Sequence, residues 1–173
     1  MIHYKKNKME TNIQNLLLLE DNPQSSARIV AFLETKFSNS LSITTFTNGD
    51  NLLKSIKSDT SIVILDYDLK GEQGDLILQK IKAINPNTKV IILSSDDDIA
   101  TAIDAYRKGA KSFVPKNKNT LARIQTIISK IIYYPAAIIQ RFFGFKELVA
   151  IFIVEVFYIG VVVFVGFQLL KFR

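Results

Sequence analysis

Apolar runs and amphipathic stretches alternate along the chain in a regular order. Ile13–Leu19 reads as a first strand, closed by Glu20-Asp21-Asn22-Pro23. Pro23 suits a helix start, and Ala27, Val30, Ala31, Leu33 and Phe37 give an apolar face to a helix ending near Ser38. Leu41–Phe46 reads as a second strand, Asn48-Gly49-Asp50 as a turn, and Leu52, Leu53 and Ile56 as a short helix. In Ser61–Asp68, four apolar residues run unbroken from Ile62 to Leu65 into Asp66. A run of that kind suits a strand buried on both faces of a parallel sheet.

The same alternation continues past a loop with two glycines, Lys70–Gly74. Leu76, Ile77, Ile81 and Ile84 mark a helix that stops at Asn85-Pro86. Lys89–Leu93 is a fourth strand, ending in Ser94-Ser95 and the acidic run Asp96–Asp98, which suits a solvated helix N-terminus. Ile99–Lys108 is amphipathic, with Gly109 as its C′ residue. Ser112–Val114 is a short fifth strand, and Thr120–Tyr134 a fifth helix with Leu121, Ile124, Ile127, Ile128 and Ile131 on one stripe. Five such βα repeats predict an α/β fold with a five-stranded, parallel, doubly wound sheet.

Composition narrows the chemistry. At 173 residues there is room for one ordinary domain and an appendage. The chain has no cysteine and a single histidine, His3, in a polar tail spanning Met1–Asn12 that reads as disordered. Disulfides, thiolate metal sites and histidine-based catalysis are therefore set aside. The net charge is +6, but no Arg/Lys stripe is interleaved with aromatics, so nucleic acid is not expected as a partner. Lys5, Lys6 and Lys8, with further cations around the apolar C-terminus, fit attraction to an anionic membrane surface better.

In a doubly wound sheet, ligands bind outside the carboxyl ends of the strands. Glu20, Asp21, Asp66, Ser94 and Lys116 each lie at or just past such an end, and they converge if the first, third, fourth and fifth strands are neighbours. Two or three carboxylates brought together repel one another unless a hard cation such as Mg²⁺ sits between them. A lysine and a hydroxyl opposite the metal are what an incoming phosphoryl group needs.

The pattern resembles the receiver domain of two-component response regulators, a CheY-like, flavodoxin-like fold. The likeness rests on the acidic pair Glu20-Asp21, Asp66, Gly71 and Gly74, Ser94, Gly109-Ala110, and Phe113 three residues before Lys116, and it covers Ile13 to about Tyr134. It implies that Asp66 is the phosphoacceptor, receiving its phosphoryl group from a histidine kinase or a small phosphodonor. It implies Mg²⁺ held by Asp21 and Asp66, by Glu20 partly through water, and by the Asp68 backbone carbonyl. It further implies that Lys116 pairs with the phosphoryl oxygens, that Ser94 moves to bond them, and that Phe113 swings inward as the readout. Two positions depart from the family pattern. Proline precedes Lys116 instead of following it, so the Lys116–Asn117 bond is expected to be trans, because a cis bond before a non-proline residue costs about 2.5–4 kcal/mol. Lys70 stands where the family often has proline. Taken singly, Glu20-Asp21 before Pro23 and Ser94 read as helix caps, Lys116 as a surface lysine and Phe113 as core.

The last quarter is different in kind. Leu148–Leu170 spans 23 residues, 17 of them Leu, Ile, Val or Phe, with Glu155 the one charge. As a helix it reaches about 35 Å, enough for a hydrocarbon layer of about 30 Å. Its apolar residues contribute roughly −7 kcal/mol to insertion against roughly +3 for one carboxylate. A transmembrane helix over 148–170 is expected, preceded by an interfacial segment over 135–147 that carries Phe142 and Phe143 beside Arg141 and Lys146. Glu155 would face a membrane-protein partner or a second copy of the chain.

The expectation is a single-pass protein of the inner (cytoplasmic) membrane, its receiver in the cytoplasm, phosphorylated at Asp66 and acting on a membrane-protein complex without a separate catalytic domain. The alternative is a structural accessory subunit that keeps a receiver fold without signalling.

Overall fold

The computed structural model describes residues 13–71, 73–133 and 156–157. The chain divides into two units, Met1–Ile132 and Tyr133–Arg173. In the first, β1 (Gln14–Leu19), α1 (Pro23–Phe37), β2 (Leu41–Phe46), α2 (Gly49–Ser55), β3 (Thr60–Asp66), α3 (Gly74–Ile84), β4 (Lys89–Ser94), α4 (Ile99–Arg107) and β5 (Ser112–Pro115) follow in turn. A last helix, α5, covers residues 120–133.

The five strands pair in parallel in the order β2-β1-β3-β4-β5. That order makes β1, β3, β4 and β5 neighbours, as convergence of the candidate residues requires. Helices cover both faces. Val63 and Leu65 point with Leu17, Leu19, Val90 and Ile92 toward Leu52, Leu78 and Ala105. Ile62 and Ile64 point with Leu16, Leu18 and Ile91 toward Leu33 of α1 and Ile124 and Ile128 of α5. The unbroken apolar run of β3 follows directly, since neither of its faces meets water.

Three local readings are corrected. On α1 the buried ridge is Ile29, Leu33 and Phe37, spaced by four, while Ala27 and Ala31 are exposed. The larger side chains remove more apolar area from water and set the helix's rotation. On α3 the buried residues include Leu78, whereas Leu76 and Ile84 are exposed. Gly74 accounts for that phase. A Cβ there would stand 2.6 Å from Tyr67 Cδ2 and 2.9 Å from the Tyr67 carbonyl oxygen, so its absence lets the helix start against Tyr67. Asn48-Gly49-Asp50 is the start of α2, with the Asn48 side chain accepting from the Asn51 amide as N-cap. Gly109, at φ 98°, occupies the left-handed C′ position after α4.

No helix among the described residues is long and apolar enough to cross a membrane. The segment 148–170, the interfacial segment 135–147, Glu155 and the tail 1–12 lie outside the described residues, apart from Val156 and Phe157, which are helical.

Candidate functional site

The carboxyl ends of the central strands deliver the candidate residues to one place. β1 ends at Leu19, and Glu20 follows it with 2% of its surface exposed. β3 ends on Asp66, also 2% exposed, which pairs across the sheet with Leu93. Carboxylate oxygens of Glu20, Asp21 and Asp66 lie within 4.8 Å of one another. Neither Glu20 nor Asp21 is needed as a cap. Asn22 is the N-cap of α1, accepting from the Gln24 and Ser25 amides, and so the acidic pair is left to the site.

Each acid is oriented by a separate donor. Glu20 accepts from the Asn22 amide at 3.1 Å and from the Ser25 hydroxyl at 2.8 Å. Asp21 accepts from the Lys70 amide at 3.3 Å, which ties the β3–α3 loop to the end of β1. Asp66 Oδ1 accepts from the Asp68 amide at 2.9 Å and from Lys116 Nζ at 2.5 Å. Burial pushes the Glu20 carboxyl above the usual range, and the nearby charge of Asp66 adds to the rise against the two hydrogen bonds. Burial alone would lower Lys116, but its hydrogen bond and attraction to Asp66, with Glu20 and Asp68 behind, hold it above the usual lysine value. Lys116 therefore stays cationic.

The described residues contain no cis peptide bond, so Lys116–Asn117 is trans. Lys116 reaches Asp66 all the same, because its amide donates to the Ser94 carbonyl at 2.7 Å and extends the β4–β5 pairing by one residue. Thr120 Oγ1 then accepts from the Asn117 amide and donates to the Pro115 carbonyl, closing the loop into α5.

Ser94 does not point at Asp66. Its hydroxyl donates to Asp68 Oδ1 at 3.2 Å and accepts from the Asp96 amide. Asp68 also accepts from the Ser95 amide at 2.6 Å and stands 3.5 Å from Lys116 Nζ. Partial burial would raise the Asp68 carboxyl, but these hydrogen bonds and the Lys116 charge hold it below the usual range. The expected role of Asp68 concerned its backbone carbonyl, and the work of its side chain was missed, as was that of Ser25. Nothing in spacing marks either, because both depend on the path of loops across strands. Phe113 is partly buried against the α3–α4 core, and its amide donates to the Tyr106 hydroxyl at 3.2 Å. It also lines a cavity of about 510 Å³ with Tyr106 and Ile127.

Hard oxygen donors clustered with one lysine suit a Mg²⁺-type cation. With a phosphoryl group added, the same set can spread the new charge over metal, ammonium, hydroxyl and backbone N–H.

Comparison with known proteins shows the family. The response regulator receiver domain family matches residues 16–129. The DNA-binding transcriptional regulator NtrC of Salmonella typhimurium is 38% identical over 77 residues, covering 44% of this chain and 16% of NtrC. The transcriptional regulatory protein CssR of Bacillus subtilis is 25% identical over 129 residues, covering 73% of this chain and 56% of CssR. The chain thus spans only a minor part of NtrC and about half of CssR. A response regulator from Burkholderia pseudomallei, solved with a phosphorylated aspartic acid, shares the fold at a TM-score of 0.58, with 20% identity and 72% of each chain covered. With its sheet order, its acidic cluster and a family match over most of its length, the chain belongs to the response regulator receiver domain family of two-component systems.

Proposed function

We propose that the chain is a phosphorylated switch whose acceptor is Asp66 and whose output is a membrane-protein partner. The observation that carries the reading is the buried Asp66 carboxylate set between Lys116 Nζ and the Glu20–Asp21 pair. A carboxylate oxygen of Asp66 attacks phosphorus as the P–N bond of a phosphohistidine breaks, or the P–O bond to the acetate of acetyl phosphate. The imidazole or acetate leaves, and an acyl phosphate remains on Asp66. Glu20, Asp21, Asp66 and the Asp68 backbone carbonyl would hold Mg²⁺, which would supply the positive charge that offsets three carboxylates facing an incoming phosphoryl group. Lys116 takes up part of that charge, and Ser94 completes the set once its hydroxyl leaves Asp68. Phe113 follows Ser94 and alters the surface next to α4.

The apolar segment 148–170 is proposed to tether the receiver to the cytoplasmic membrane, with the receiver in the cytoplasm where kinases draw on ATP. Glu155 would mark the side of that helix facing a membrane partner. No separate catalytic domain enters this mechanism.

The test is incubation with Mg²⁺ and acetyl phosphate, followed by intact mass. A gain of one phosphoryl group, lost in Asp66→Asn, is expected. No gain, where a control receiver responds, would favour a structural subunit that keeps the fold without signalling. Carbonate extraction of membranes tests the tether, and the chain should stay with the bilayer.

A further inference from the structure

In a parallel doubly wound sheet, strand starts and helix C-termini share one end of the domain. At that end, opposite the phosphorylation site, cations collect. Lys36, Lys54 and Arg107 stand in the last turns of α1, α2 and α4, and Lys130 three residues from the end of the described part of α5; all four are exposed. Cations in last turns also suit the helix dipole. The dipole does not account for Lys57, Lys89 and Lys111, which sit in loops or at a strand start and are exposed. They are drawn together by the backbone. Asn85 Nδ2 donates to the Lys57 carbonyl, joining the α2–β3 and α3–β4 loops, and the Lys111 amide donates to the Val90 carbonyl. None of the seven cations belongs to an ion pair among the described residues. The acids near this end are Glu34, in the last turn of α1, and Asp59, whose carboxylate is engaged by Asn15. Asp104 on α4 is paired with Lys108.

The opposite end carries Glu20, Asp21, Asp66, Asp68 and the Asp96–Asp98 run, which outnumber its cations Lys70, Lys116 and Lys118. The domain is thus polarised along the strand direction. The chain also enters β1 at Gln14 and leaves the described part of α5 at Tyr133 on the basic end. Both the Lys5, Lys6, Lys8 segment and the sequence leading to 148–170 connect there.

We infer that the end of the domain bearing Lys57, Lys89 and Lys111 is a docking face for the anionic headgroups of the bilayer, and that it holds the phosphorylation site pointing into solution. The inference rests on the proposed tether, whose chain leaves the domain at this end. Charge complementarity does the rest: anionic leaflets attract clustered lysines within a Debye length, and they repel the acidic end.

The absence of native cysteine makes the test direct. Full chain is reconstituted in nanodiscs of phosphatidylcholine alone or with about a third phosphatidylserine, doped with a headgroup quencher. A fluorophore is placed at Asn87→Cys, in the exposed α3–β4 loop at the basic end, or at Thr47→Cys, at the opposite end. Expected is stronger quenching at position 87 in anionic discs, reversed by high salt, with position 47 unaffected. The triple variant Lys57→Gln, Lys89→Gln, Lys111→Gln should lose the lipid- and salt-dependent quenching at position 87 while staying in the disc. Equal quenching at position 87 in both lipids, or quenching at position 47, overturns the inference while leaving the tether intact. If carbonate strips the chain from membranes, the tether fails on its own, and flotation decides: salt-reversible flotation lost in the triple variant supports the face, and none refutes it. A duplex oligonucleotide that lifts the face off anionic discs at equal phosphate concentration would reassign it to nucleic acid.

Discussion

Asp68 holds with its own carboxylate the Ser94 hydroxyl that is proposed to bond the phosphoryl group, and the Ser95 amide beside it. Ser94 Oγ and the Ser95 amide both donate to it, and Lys116 Nζ stands 3.5 Å away. Asp68→Asn is therefore expected to favour the switched arrangement. Hydrogen bonds to a carboxylate contribute about 1.5–3 kcal/mol each, against about 0.5–1.5 for neutral pairs. The Asp68 side chain is 35% exposed, so water screens part of that difference. Asparagine also offers one acceptor oxygen where the carboxylate offers two. Together these loosen Ser94 and the Ser95 amide by roughly 1–2 kcal/mol, a shift of about five- to thirtyfold in an equilibrium constant. Removing the charge also lessens repulsion of an incoming anion. Titration calorimetry with beryllofluoride in excess Mg²⁺ reads the effect, and Asp68→Asn should bind about fivefold more tightly or better. The gain should shrink when Ser94→Ala is added, because part of the coupling runs through that hydroxyl and the rest through the Ser95 amide. Unchanged or weaker binding in the single variant would refute the idea that Asp68 competes for these donors.

Further expectations concern the site and its support. Glu20→Gln should weaken Mg²⁺ binding and raise the stability of the Mg²⁺-free domain by roughly 1 kcal/mol, since it removes a buried charge beside Asp66; thermal melts with and without Mg²⁺ separate the two effects. The raised Lys116 gives a pH signature. Its contribution to stability is complete below the ordinary lysine value of 10.5 and is lost as pH rises through the higher folded value, so Lys116→Met should lack this alkaline decline in denaturant titrations. Leu33→Ala, at a site with no exposed surface, should cost about 2–5 kcal/mol. Ala31→Ser, on the exposed side of the same helix, should stay within about 0.5 kcal/mol by urea unfolding. Gly74→Ala should cost about 1–3 kcal/mol, because the new methyl meets Tyr67 backbone.

What was legible in the sequence followed from signals that survive without tertiary context. The run Ile62–Leu65, short, largely β-branched and without a polar face, suited a two-sided strand, and Pro23 and Asn85-Pro86 bound helices by local sterics. The phase of α3 was not legible, because Leu76, Ile77 and Leu78 are all apolar and the close approach of Gly74 to Tyr67 decides which turn inward. Strand order brought Glu20, Asp21, Asp66 and Lys116 together once β1, β3, β4 and β5 proved adjacent. The partner of Ser94 was hidden, because a loop carboxylate's direction depends on rotamer and on donors from another strand.

Pro115 ends β5, the outer strand of the sheet, in register with Ser94. The Lys116 amide points inward to β4, while the Phe113 amide points outward to the Tyr106 hydroxyl. Alternation puts position 115 on the outward side, where a proline forfeits no ladder bond. That rim therefore presents no free amide to an extended chain: one donor is capped and the next does not exist. Strand addition is blocked at this border, one of the two that an open parallel sheet offers to aggregation.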